Sequence, residues 1–139
     1  MILNKQKKVR LATRPLSEFL RKTQRELKIA DSEITIAFVS DAEIARWNEG
    51  YRKKKGPTDV LSFPATPGAI QGAMEILGDI AISPETAKRY AKQNGRSVNA
   101  EIRILVLHGI LHLMGYDHEN DTGQMNRIEQ RLRRRLGIQ

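Results

Sequence analysis

The sequence predicts one α+β domain, a small mixed β-sheet packed with helices. Three observations lead there. Every run with strand character falls in the first 82 residues, and long helical patterns dominate the rest. At 139 residues the chain is one domain's worth, able to bury a core without disulfides or other staples. No repeat, linker or low-complexity tract interrupts it, so residues 1–139 are expected to form a single unit.

Residues 2–9 read as an edge strand, polar enough to stay soluble. A first helix follows, with Pro15 suited to its opening turn. Leu16, Phe19, Leu20, Thr23 and Leu27 make one face of it, and Arg21, Lys22, Arg25 and Lys28 the other. Residues 33–39 are β-branched and alternating, which predicts a strand. Ser40 and Glu43 form a capping box for a short helix, with Ile44 and Trp47 as apolar positions and Gly50 as its stop. A basic loop over 51–57 leads to a strand over 59–63, closed by Pro64. Residues 64–73, with two prolines and two glycines, read as loop, and 76–82 as another strand. Asp79 inside that apolar run calls for either an exposed edge position or a partner. Ser83-Pro84-Glu85 starts a helix that ends near Gly95, and Ser97 caps the next, over 98–114. The last helix is expected to start near Asp121 or Thr122 and to stop at Gly137. Met125, Ile128, Leu132 and Leu136 are its core stripe, while Arg127, Arg131, Arg133, Arg134 and Arg135 form a basic face.

Composition excludes several classes. The absence of Cys rules out a disulfide scaffold and a zinc ribbon. The N-terminal stretch lacks the apolar segment of a secretory signal, and no apolar run approaches the ~20 residues of a membrane span. A soluble cytoplasmic protein, with no membrane partner, is the expectation. The formal charge is +8 and unevenly spread. Residues 1–28 carry nine basic against two acidic residues, and 127–139 five against one, around a mildly acidic middle. Basic ends of this kind suit a polyanion, nucleic acid first, though they equally describe solvated helix faces.

All three histidines fall within eleven residues, His108-Gly-Ile-Leu-His112-Leu-Met-Gly-Tyr-Asp-His118. On a helix, His108 and His112 lie about 40° apart and one turn above the other, so two imidazoles can grip one ion. Gly115 suits the left-handed conformation that closes a helix, after which His118 can approach from a loop. Three neutral imidazoles suit zinc, one ion per chain, and leave a fourth position open, as catalytic zinc sites do. Zinc so held lowers the pKa of bound water to about 7. A structural zinc would instead need Asp117 or Glu119 as a fourth ligand. Affinity order alone does not select zinc over nickel or another divalent ion. Asp79 and Asp117 are candidates for orienting the imidazoles, or are simply solvent-facing and turn residues.

The spacing is that of the zincin-like metzincin proteases, HExxHxxGxxH, but Gly109 stands where those enzymes carry their general base. That argues against a peptidase, and Gly109 is expected to leave open space beside the metal for a bulky phosphodiester. Phosphodiester cleavage fits better: zinc polarises a phosphoryl oxygen, and a guanidinium matches phosphate oxygens. Arg52, in the loop before Pro57, is the candidate for that cation, with His112 as its catalytic companion at the metal. Lys53, Lys54 and Lys55, together with Arg131 and Arg134, are candidate RNA-binding residues that would track a backbone as point charges. Either water or the RNA's own 2′-OH could attack, leaving different product ends. A non-catalytic RNA- or ribosome-binding module with a structural zinc is the third class of reading.

The block from His108 through Gly115-Tyr116-Asp117 to His118 resembles the signature of the YbeY family of bacterial rRNA-maturation endoribonucleases. Tyr51-Arg52, the run from Pro57 to Pro64 and Leu77-Gly78-Asp79-Ile80 resemble its other blocks, in order over roughly residues 34–118. The resemblance implies a single-strand-specific, metal-dependent endoribonuclease of the bacterial cytoplasm. It would process the 3′ end of 16S rRNA and act in quality control of the small ribosomal subunit. It carries zinc ligation to His108, His112 and His118, and the family's catalytic arginine to Arg52.

Overall fold

The computed structural model describes residues 1–116 and 122–138. Five strands make one mixed sheet: β1 (Ile2–Asn4), β2 (Ser32–Phe38), β3 (Val60–Pro64), β4 (Ile70–Gln71) and β5 (Met74–Ile82). Their order is β1-β2-β5-β3, with β4 also on β5. β1, β2 and β5 run parallel, while β3 and β4 pair antiparallel with β5. Among the described residues there are five helices: α1 (Thr13–Glu26), α2 (Asp41–Arg52), α3 (Pro84–Asn94), α4 (Val98–Leu113) and α5 (Gln124–Arg135). The α+β class read from the sequence is the class observed.

Alternation along the strands sorts the side chains between two faces. Ile34, Ile36, Phe38, Ile80 and Ile82 share the main core with α1 and α4. Leu61 and Ala81 point the other way, where Val39 and Ile44 join them and Ala37, Trp47 and Phe63 pack alongside. α4 is apolar nearly all round, the pattern of a helix buried in a core rather than lying on a surface. Ile102, Leu107, Ile110 and Leu111 are each no more than 1% exposed, and each such side chain contributes about 1.5–3 kcal/mol by burial.

Two glycines set how closely α4 approaches the sheet. Gly109 is buried against β5, and a Cβ there would lie 2.8–3.0 Å from three side-chain atoms of Ile80. The open space expected beside the histidines at this residue is therefore absent; Ile80 occupies it. Gly78 follows a bulge in β5, where the pairing with β2 skips Leu77. Its φ is +149°, and a Cβ would meet the Phe63 carbonyl oxygen at 2.5 Å and Leu113 Cδ2 at 2.7 Å. Only glycine fits that crossing of β3, β5 and α4.

The three serine caps appear as predicted. Ser40, Ser83 and Ser97 accept from the backbone N–H of Glu43, Thr86 and Ala100 at 3.2, 3.3 and 3.1 Å. Several boundaries differ from the sequence reading. β1 stops at Asn4, because the Gln6 amide bonds Asn4 Oδ1 and both backbone groups of Val9 and so turns the chain. Gly50 does not end α2. The helix runs on to Arg52 and closes at Lys53, which adopts a left-handed φ of 55°. The 64–73 loop contains β4, paired to the start of β5. Finally, α5 begins at Gln124 behind Gly123, three residues later than the earlier of the two expected starts.

Candidate active site

Where α4 ends, its histidine face meets β3 and the end of α2. His108 and His112, both half-buried, open into a cleft of 1160 Å³. Arg52 lines the same cleft, with Thr58, Ser62 and Tyr116 among its walls. Arg52 reaches it because α2 continues past Gly50, so the arginine is set by a helix terminus and not by a loop as expected. Ser62 Oγ donates to the Gly109 carbonyl at 3.3 Å, tying β3 to α4 between the two histidines. Gly115, with φ of 98°, takes the left-handed conformation expected after the helix. Thus three residues, Arg52 from one helix and His108 and His112 from another, share one concavity.

The C-terminal helix supplies a fourth group that the sequence reading passed over. Glu129 is 8% exposed, and its Oε1 contacts Nε2 of His108. Its Oε2 lies 3.8 Å from Arg133 Nη1, one turn further along α5. A signal for it existed: Glu129 lies between Met125 and Leu132, at helical spacing within the apolar stripe, where a carboxylate needs a partner. His112 is likewise engaged in the structure.

The remaining candidates lie elsewhere. Asp79 is exposed, yet β5 is a central strand, so the edge position expected for it is not what exposes it. Its neighbour Ile80 packs on Gly109, and alternation turns Asp79 to the opposite face. There it lines a second concavity of 540 Å³ with Lys5, Thr35, Trp47 and Phe63. Asp79 is therefore removed from the imidazoles it was a candidate to orient. Lys53, Lys54 and Lys55 are exposed just beyond Arg52. Arg131 and Arg134 are exposed on α5, and the described residues lining the cleft include neither. Arg131 instead acts on Glu26 of α1, beside the Arg135–Glu26 ion pair. Asp117 and His118 lie outside the described residues.

Among the described residues no group of three or more His, Cys, Asp or Glu side chains is arranged as a metal site. The donors present nevertheless fit a divalent transition ion: two imidazoles one turn apart facing the cleft, with a buried carboxylate at the first.

Comparison with known proteins places the chain among related ones. The family described as Endoribonuclease YbeY matches residues 1–137. The Endoribonuclease YbeY of Koribacter versatilis (strain Ellin345) is 40% identical over 138 residues, covering 99% of this chain and 86% of that protein. That of Nautilia profundicola is 45% identical over 112 residues, covering 79% and 76%. Among solved structures, the solution structure of TM1509 from Thermotoga maritima aligns with a TM-score of 0.66 at 26% identity, covering 98% of this chain and 89% of that one.

Proposed function

The chain belongs to the YbeY family of endoribonucleases, and on that premise we propose that it cleaves single-stranded RNA at a zinc centre. The ligands are His108, His112 and His118, and the biological substrate is the 3′ end of 16S rRNA in the small ribosomal subunit, with a further part in ribosome quality control. The setting is the bacterial cytoplasm. No helix among the described residues is long and apolar enough to cross a membrane.

The observation that carries this reading is the meeting of Arg52 with His108 and His112 in one cleft. A divalent ion held there supplies Lewis acidity toward a phosphoryl oxygen. Arg52 presents a planar guanidinium, able to hold two phosphate oxygens at once and to balance the charge that grows on them during cleavage. Glu129 holds the His108 ring in one orientation, as carboxylates do behind metal-binding histidines. Gly109 brings no general base, and Ile80 leaves no room for one, so the peptidase alternative loses its central side chain.

The test is cleavage of a single-stranded RNA spanning the 16S 3′ end by zinc-loaded protein, beside His112→Ala and Arg52→Lys purified identically. Wild type is expected to cut that RNA and spare its duplex. His112→Ala should be inactive, and Arg52→Lys should lose about tenfold to a thousandfold in kcat while still binding RNA. A 2′,3′-cyclic phosphate product would identify attack by the 2′-OH, and a 5′-phosphate attack by water. Equal cutting by all three proteins would mark a contaminant and overturn the assignment.

A further inference from the structure

Tyr51 is 73% exposed, more than any other large hydrophobic side chain of the described residues. It is nevertheless held in place. Its ring meets Phe63 edge-on at 5.2 Å and 69°, and Phe63 in turn meets Trp47 at 6.2 Å and 90°. Trp47 and Phe63 are half-buried on the second core cluster, so the phenol stands on an aromatic buttress rooted in the sheet. Tyr51 and Phe63 both line the histidine cleft, and both also line the concavity on the other side of the sheet. The ring therefore forms the ridge between the two, next to Arg52 in the chain and followed by three exposed lysines.

A large exposed apolar surface of fixed orientation, beside a phosphate-binding guanidinium and a run of positive charge, is the composition of a single-stranded nucleic-acid groove. From these observations the geometry points to Tyr51 as the platform on which one unpaired base of the substrate stacks, next to the phosphate held at Arg52. The occupant is an RNA nucleobase; the neighbouring lysines complement its phosphates. Duplex RNA keeps its base faces stacked on one another and cannot offer one to the ring, so the same interaction selects single strands. Because every base has a π-face, the platform tolerates any sequence at that nucleotide. This rests on the endoribonuclease reading above and adds the nucleotide subsite to it.

The experiment measures binding of an RNA made uncleavable by either route, with a 2′-deoxy nucleotide and a methylenephosphonate in place of the leaving 3′ oxygen at the cut site, to wild-type protein, Tyr51→Ala and Tyr51→Trp. A second series carries a single abasic nucleotide moved one position at a time along the same RNA. Tyr51→Ala is expected to bind about five- to a hundredfold more weakly, and Tyr51→Trp to bind as wild type does. One abasic position should weaken the wild type by a similar factor and leave Tyr51→Ala no weaker than before. If Tyr51→Ala binds as tightly as wild type while wild type still cuts RNA, the platform is wrong and the nuclease reading stands. An equal further loss for Tyr51→Ala at every abasic position would likewise overturn the platform, since the ring would then face no particular base. If the wild type neither binds nor cuts any RNA, both fall together.

Discussion

Glu129 illustrates how a single residue can link a distant helix to a site. Its carboxylate is buried and contacts His108, so removing it leaves that imidazole without its carboxylate and frees the ring to rotate. Glu129→Gln and Glu129→Ala are expected to weaken divalent-metal affinity by about ten- to a hundredfold, measured by calorimetric titration of the apoprotein. A purely structural role would lower the unfolding midpoint of the apoprotein and leave that affinity unchanged. Gly109 makes the opposite point, a residue whose meaning comes from what it lacks. Gly109→Ala forces a methyl into Ile80 and should cost about 1–3 kcal/mol in denaturant unfolding, with part of it regained on adding Ile80→Val. His108, His112 and Arg52 stand out in sequence as candidates because local spacing and residue type carry their chemistry, and the fold brings these three into one cleft. Glu129 stands out in sequence only as a carboxylate within an apolar stripe; its partner lies 21 positions away, and only the fold shows that α5 crosses the end of α4. Gly109 misleads because sequence shows a missing side chain without showing what fills the place.

At the scale of elements, the three serine-capped helix starts are readable, while the start of α5 and the end of α2 are not. Serine caps act within three residues, whereas the end of α2 depends on Lys53 taking a left-handed turn that no local glycine announces. Asp41, in the first turn of α2, joins that helix to α3. Ser83 Oγ donates to Asp41 Oδ1, as does Thr86 Oγ1 at 2.7 Å, and Arg89 Nη1 donates to Oδ2 at 2.9 Å. Burial alone would push this carboxyl up; the three hydrogen bonds and the Arg89 charge outweigh it and hold the pKa below the usual aspartate range. A depressed folded pKa stabilises above the unfolded value, about 3.9, and that stabilisation is lost as pH falls through the folded one. Asp41→Asn should therefore unfold at lower urea than wild type at pH 6, with the gap narrowing as the pH is taken below about 4. A gap that stays constant down the acid limb would show that the carboxylate charge contributes nothing.

Over the whole molecule, the two basic ends of the sequence come together. α1 and α5 are neighbours, and Arg135 Nε donates to Glu26 Oε2 at 2.6 Å across them. Positive charge thus gathers on a flank apart from the cleft, a distribution that sequence suggests in amount and the fold alone can place. If a long RNA runs from the cleft to this flank, Arg131→Ala with Arg134→Ala should reduce the slope of log affinity against log salt by about 0.7 for each phosphate no longer neutralised. A short oligonucleotide that fills only the cleft should show no change in slope. An unchanged slope on long RNA as well would confine binding to the cleft.

The burial of α4 on nearly every side also shapes how the chain reaches its structure. A sixteen-residue helix that shows water little beyond its two histidines and a few polar side chains near its start depends on α3, β3 and β5 to cover the rest. One part of that cover, β5, is separated from its parallel partner, β2, by the whole stretch 39–73, so the covering layer depends on slow, non-local pairing. During that interval the future centre of the domain stands open to other copies of the chain, so association competes with folding until the sheet closes over it.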